Sequence, residues 1–142
     1  MKIETVMSRY VEFAAPGDTA EALAVMMGEL DVGALPVGTE DDIQGVVTDR
    51  DILYRVVAKG LDPASVTARD ILSAPVLACR PEDSLEDATE LMAANRVRRL
   101  AVTAEGGRVV GWVTLADLSR PLLLESGTVR RALGELSRES AG

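Results

Sequence analysis

Gly45-Val46-Val47-Thr48-Asp49-Arg50-Asp51 and Gly111-Trp112-Val113-Thr114-Leu115-Ala116-Asp117 are one phrase written twice, 66 residues apart, with four of seven positions identical. Upstream the offset is 65. Val6-Met7-Ser8 falls on Ile71-Leu72-Ser73, and Pro16-x-Asp18-x-x-Glu21 on Pro81-x-Asp83-x-x-Glu86. Met26-Met27 falls on Leu91-Met92, and Val32-x-x-Leu35-x-Val37 on Val97-x-x-Leu100-x-Val102. Over residues 5–37, nine of 33 positions are identical at that single offset, and one extra residue in the next loop changes it to 66. Landmarks kept in order over that length mark a tandem duplication, so the 142 residues are two copies and a tail.

Each copy reads as β-α-β-β-α, a mixed α+β unit. Short apolar segments at 11–14 and 76–79 lead to Pro16 or Pro81 and an acidic helix start. Leu23, Met26, Met27 and Leu30 form a helical stripe, as do Ala88, Leu91 and Met92. Strands are expected at 34–37 and 100–102, with polar hairpin tips at 38–42 and 104–107. Strands 43–48 and 108–114 then run into helices 49–58 and 115–123. Lys59-Gly60-Leu61-Asp62-Pro63 stops the first of these, with Gly60 as the left-handed residue. The expected units are residues 1–64, residues 65–125 and a tail, 126–142, with a faint stripe over Val129, Ala132, Leu133 and Leu136. A unit of about 60 residues buries little surface alone, so the two should share a packed body.

Composition removes whole function classes. There are 23 acidic and 15 basic side chains, a net charge of −8, which opposes a nucleic-acid groove built of clustered cations. No histidine is present, which removes imidazole triads and imidazole metal ligands; one cysteine, Cys79, removes an internal disulfide and a Cys-rich zinc site. Four aromatics (Tyr10, Phe13, Tyr54, Trp112) make a poor stacking platform. There is no Walker lysine motif, no Gly-x-Gly-x-x-Gly and no nucleophile–base pair, so an enzyme is not expected. Met1-Lys2-Ile3-Glu4 lacks an apolar signal core, and no apolar run approaches the ~20 residues that span a bilayer. A cytoplasmic, soluble chain is the expectation.

The motif Gly-h-h-Thr-x-x-Asp has two readings. Thr-x-x-Asp is a capping-box-like helix start, and Ser/Thr-x-x-Asp recurs at Thr39, Thr48, Thr67, Ser84 and Thr114. Only two of the five carry the preceding Gly-h-h, at equivalent places in the repeat. There a strand delivers a hydroxyl and a carboxylate to one helix N-terminus, where the dipole favours anions and an Asp can accept from vicinal ribose hydroxyls.

Through these residues the chain resembles the CBS-domain family, as a stand-alone tandem pair (a Bateman module), over roughly residues 2–125. It is most similar to the small bacterial pairs through Thr48-Asp49-Arg50-Asp51-Ile52, Gly60-Leu61-Asp62-Pro63 and Val97-Arg98-Arg99. The resemblance implies two pseudo-symmetric repeats packed through their sheets, with two clefts between them that hold adenosine-containing ligands (AMP, ADP, ATP). It puts the ribose on Asp51 and Asp117, with Thr48 and Thr114 towards ribose or phosphate. It also implies a homodimer and a regulated enzyme or transporter as partner, with no required cofactor and no metal. A protein-interaction scaffold that keeps the motif only for capping is the alternative.

The copies differ where it matters. Arg98-Arg99 stands where the first copy has Gly33-Ala34, and is read either as phosphate ligands or as a solvated basic edge. Arg50 and Arg120, beside the motifs, are phosphate ligands or surface residues. Trp112 shares a strand face with Thr114 and serves core packing or an adenine. Glu40-Asp41-Asp42 reads as a solvated loop tip rather than a cation site. Cys79, aligned with Ala14, reads as a small buried hydrophobe.

Overall fold

Two hairpins carry the motifs. Strand β1 (Ala34–Gly38) pairs antiparallel with β2 (Ile43–Thr48), and β4 (Arg99–Thr103) with β5 (Val109–Thr114). The registers are equivalent: Ala34 faces Thr48 as Arg99 faces Thr114. The computed structural model describes residues 1–124, 127, 130–132 and 134–136. Before each hairpin lies an eleven-residue helix, α1 (Ala20–Leu30) or α4 (Leu85–Asn95). Thr19 Oγ1 caps the first by accepting from Ala22 N–H (3.1 Å), and Ser84 Oγ caps the second by accepting from Asp87 N–H (3.0 Å). After β2 come α2 (Asp49–Ile52) and a π-helical turn, Leu53–Val57, closed by Ala58 N–H to the Leu53 carbonyl (2.9 Å). A short helix, α3 (Ala68–Ile71), and strand β3 (Ala78–Cys79) open the second copy, and α5 (Leu115–Leu124) follows β5.

Most expected elements are present; α3 and a 3₁₀ turn at Ile3–Thr5 are additions to them, and three expected features differ. The first apolar segment, 11–14, forms no strand; Ala14 makes one parallel bridge to Val37, matching the Cys79–Val102 pair of the second copy. Helix 49–58 divides into an α and a π part. Leu30 leaves the expected core stripe, 39% exposed, whereas Leu23 and Met27 are buried. Gly60 is left-handed as expected (φ +67°). Of the tail stripe, Val129 and Leu133 lie outside the described residues; Ala132 and Leu136 are helical and exposed.

The linkers trade places. Ile3, in a 3₁₀ turn (Ile3–Thr5), is fully buried in the core of the second copy with Leu85, Met92, Leu100, Val113 and Leu118. Val66, Ala68 and Ile71 complete the core of the first copy, with Leu23, Leu35, Val47 and Val56. Four bridges pin the exchange in symmetric pairs: Lys2–Ser84 with Thr19–Thr67, and Ser8–Trp112 with Val46–Ser73. The motif glycines permit it. A Cβ on Gly45 would lie 2.7 Å from both Leu72 Cδ1 and the Ser73 carbonyl, and one on Gly111 would lie 2.6 Å from Met7 Sδ. Gly in Gly-h-h-Thr-x-x-Asp is thus the seat for the arm that crosses from the other copy.

Candidate functional site

The crossing arms, hairpins and motifs enclose two clefts in equivalent positions. One, of about 490 Å³, takes Thr114 and Asp117 from the second copy, Asp31 to Pro36 around β1 of the first, and Ser8, Tyr10, Val11 and Glu12 from the arm between them. The other, of about 470 Å³, takes Thr48, Asp49 and Arg50 from the first copy, Arg96 to Arg99 around β4, and Ser73, Pro75, Val76 and Leu77. We call them the Thr114 cleft and the Thr48 cleft. Both volumes suit a small-molecule ligand.

Both motifs form helix caps. Asp51 N–H donates to Thr48 Oγ1 (3.1 Å), and Thr48 N–H donates back to Asp51 Oδ2 (2.9 Å). The Thr114–Asp117 pair repeats this at 3.2 and 2.9 Å. Capping consumes one carboxylate oxygen and leaves the other. At Asp117 the second oxygen has no hydrogen-bond partner among the described residues, and the residue lines its cleft. At Asp51 the second oxygen lies 3.7 Å from Arg55 Nε, and the residue is not among those lining the Thr48 cleft. The equivalence of the two motif carboxylates implied by the resemblance is therefore broken. Asp49, which the sequence reading did not single out, is the carboxylate that lines the Thr48 cleft, where the second copy has Leu115.

Of the arginines, Arg50, Arg98 and Arg99 come together in the Thr48 cleft with Arg96. Arg50 also stacks on Tyr54, its guanidinium carbon 5.0 Å from the ring centroid, so its surface-helix and cleft readings coexist. Arg99 lines both clefts. Burial lowers its pKa, Arg98 adds to that, and Asp49 and Asp51 oppose it; the guanidinium stays charged at any ordinary pH. Arg120 is exposed on α5 and lines neither cleft, so the ligand role considered for it has no geometric support.

Trp112 belongs to neither apolar core; half-buried, it forms wall for both clefts, beside Thr114 as strand alternation required. Its fluorescence would therefore report either cleft rather than one. Tyr10, Glu12, Asp31 and Arg96 are cleft residues that no motif marks. Tyr10 donates its hydroxyl to the Glu12 carboxylate, whose acceptance of that bond and negative charge raise the phenol pKa. Asp31 and Arg96 are equivalent, and both end their helices in the left-handed region at φ 54°. The repeat offset was the one signal that could have paired them. Cys79 is buried, which pushes its thiol up to about 11, an inert state. The acidic tip, expected to be solvated, braces the second copy: Glu40 Oε1 lies 2.7 Å from Arg108 Nη2, and the Glu40 carbonyl accepts from Val109 N–H (2.8 Å).

The family model of the CBS domain matches residues 3–58 and 68–124. An uncharacterized protein of Methanopyrus kandleri is 33% identical over 119 residues, 83% of this chain; the chain spans 61% of that relative's length. Hypoxic response protein 1 of Mycobacterium tuberculosis is 36% identical over 118 residues, 82% of each chain. Its solved structure, described with two coordinated zinc ions, superposes with a TM-score of 0.73, covering 84% of this chain and 98% of that one at 35% identity. A CBS-domain protein of Burkholderia ambifaria superposes at 0.78 with 28% identity, covering 84% and 87%. A hexameric CBS-CP12 protein from bloom-forming cyanobacteria does so at 0.78 with 27% identity, covering 99% and 85%. The chain also matches a quarter of the length of inosine-5'-monophosphate dehydrogenase of Thermoplasma acidophilum, at 28% identity.

Proposed function

Because the chain belongs to the CBS-domain family and carries two copies in tandem, we propose that this regulatory module senses an adenosine nucleotide of the AMP, ADP and ATP class in the clefts between its copies. The observation that carries the adenosine part of the reading is the second oxygen of Asp117, without a hydrogen-bond partner among the described residues, in a cleft of about 490 Å³ beside a capped helix start and an indole. A carboxylate so placed accepts from ribose hydroxyls without giving up its cap. Binding then biases one arrangement of the copies over another, and linkage passes that bias to a partner enzyme or transporter. The module is non-catalytic in this reading and works in the cytoplasm; among the described residues no helix is long and apolar enough to cross a membrane.

Zinc is not proposed, although one relative's structure carries it. The chain has no histidine, its one cysteine is buried, and no three His, Cys, Asp or Glu residues group as a metal site among the described residues. A second reading, a dimerising scaffold, is favoured by one observation. Leu53, Tyr54 and Val57 are each about half exposed along the π-helical segment, and Leu61, just past Gly60, is exposed as well. We propose that face for a second copy of this chain, and the hexameric relative makes self-assembly a reasonable expectation.

Calorimetric titration with AMP, ADP, ATP and adenosine tests the nucleotide reading. A charge-assisted hydrogen bond contributes about 1.5–3 kcal/mol, so Asp117→Asn, which keeps an acceptor for the cap, should weaken the ligand of that cleft by roughly 10- to 150-fold. Affinities for all four compounds unchanged by Asp117→Asn and by Asp51→Asn, or no binding of any, would overturn it and leave the scaffold.

A further inference from the structure

Position by position, the two clefts are a duplicated frame with inverted charge. Asp31 of one is Arg96 of the other, Glu12 is Leu77, Gly33 is Arg98, Ala34 is Arg99 and Ala116 is Arg50. The charged lining follows. The Thr114 cleft has three carboxylates, Glu12, Asp31 and Asp117, and the guanidinium of Arg99. The Thr48 cleft has four guanidiniums, Arg50, Arg96, Arg98 and Arg99, and the carboxylate of Asp49.

Two further observations mark the basic cleft as built for an anion rather than as a solvated edge. Arg99 is half-buried, yet among the described residues its guanidinium makes no hydrogen bond and no ion pair, so its donors are unspent. Arg96 sits at the left-handed helix end (φ 54°) that Asp31 occupies in the other copy, so the same rim position carries a cation here and a carboxylate in the Thr114 cleft.

We infer that the clefts are divided by charge: the Thr48 cleft holds the phosphate end of the ligand on Arg98 and Arg99, and the Thr114 cleft refuses phosphate and takes a neutral or cationic nucleoside. This deepens the nucleotide reading and rests on it for the adenosine moiety, but the division itself is a statement about phosphate. Guanidiniums recognise phosphate oxygens through paired N–H donors, and four of them share one small opening. Three carboxylates around the equivalent opening repel the same group. Arg99, common to both walls, strengthens the division: once a phosphate draws it, the Thr114 cleft has lost the one cation that the described residues place in its lining.

The test uses inorganic tripolyphosphate, adenosine and ATP, titrated calorimetrically at about 0.05 and 0.15 M salt. One tripolyphosphate should bind per chain, weaker at higher salt. Arg98→Ala and Arg99→Ala should each weaken it at least tenfold; Asp117→Asn should leave it within about twofold. Both arginine variants should fold, because the first copy carries Gly33 and Ala34 at these places. Adenosine should lose affinity in Asp117→Asn and not in Arg98→Ala. Two tripolyphosphates per chain, none, or one indifferent to both arginines would overturn the division. ATP binding that is indifferent to both arginines would overturn it while leaving the nucleotide reading intact. Tripolyphosphate binding without ATP or adenosine binding would overturn the nucleotide reading and keep the phosphate site.

Discussion

Replacing Gly45 by alanine tests whether the motif glycine exists to seat the crossing arm. The new Cβ would lie 2.7 Å from the Ser73 carbonyl and from Leu72 Cδ1, against an ordinary contact distance of at least 3.4 Å. Leu72 can turn aside, but the carbonyl is held: it accepts from Val46 N–H (3.0 Å), and Ser73 N–H returns a bond to the Val46 carbonyl (2.9 Å). Relief therefore moves the arm by roughly 0.7 Å and stretches both bonds. Overpacking costs about 1–3 kcal/mol, and two weakened hydrogen bonds add about 1 kcal/mol between them. At about 3–4 °C per kcal/mol for a chain of this size, Tm should fall by roughly 6–16 °C. Gly111→Ala should fall less, since its closest neighbour, Met7 Sδ at 2.6 Å, is the end of a flexible side chain. Gly28→Ala is the control: nothing lies within 4 Å of its Cβ inside α1, so better helix propensity should raise Tm by about 2–4 °C. Circular dichroism melts of the three variants give the ranking. If Gly45→Ala melts with or above the wild type, the arm does not rest on that backbone and the explanation of the motif glycine is wrong.

The other predictions concern the exchange and the rim. Ile3→Ala should cost about 2–5 kcal/mol, and hydrogen exchange should rise first in α4 and β5 of the second copy rather than in the neighbouring first copy. Arg96→Gly should raise Tm by about 3 °C through relief of the left-handed backbone while weakening tripolyphosphate severalfold in calorimetry. Folding holds the Cys79 thiol protonated up to about 11, so the stability that burial contributes is complete at neutral pH and is lost as pH climbs from about 9 through 11. Urea melts of wild type and Cys79→Ala (the residue at the equivalent position 14) should converge over that range; parallel curves would remove the thiol from the account.

The duplication was legible because identity at one offset is a one-dimensional signal. The hairpins, the paired capping boxes and the left-handed Gly60 followed from it and from local chemistry. What the sequence did not carry is the third dimension of the arms. Ile3 and Ala68 occupy equivalent positions, but nothing local says that each is buried in the other copy. Asp51 shows the same limit at the site. Its spacing to Thr48 is that of Asp117 to Thr114, and the capping distances agree to about 0.1 Å, yet Arg55, one turn on, claims its second oxygen. Spacing fixes a backbone arrangement; whether a carboxylate is free for a ligand depends on a neighbour that the motif does not contain.

The crossed arms also explain how one gene duplication could yield two unlike clefts. Each cleft takes its capped helix start from one copy and its strand entrance from the other. A substitution in β4 therefore alters the environment of Thr48, in the first copy, and leaves the second copy's own motif mostly untouched; Arg99, on the shared wall, is the exception. Charge could then diverge at Gly33-Ala34 against Arg98-Arg99 without disturbing either capping box, since those positions meet the motif strand edge-on, through the Gly33 carbonyl to Asp49 N–H (2.9 Å) and the Arg98 carbonyl to Leu115 N–H (2.8 Å). These bonds use backbone only, so any side chain satisfies them. The converse is a strong constraint on dissection. A fragment ending near residue 64 would lose Val66, Ala68 and Ile71 from its core and the four arginines' shared cleft, and would keep Ile3 with no core to enter. Separated halves should therefore neither fold cooperatively nor bind tripolyphosphate, and mixing them should restore both together or neither.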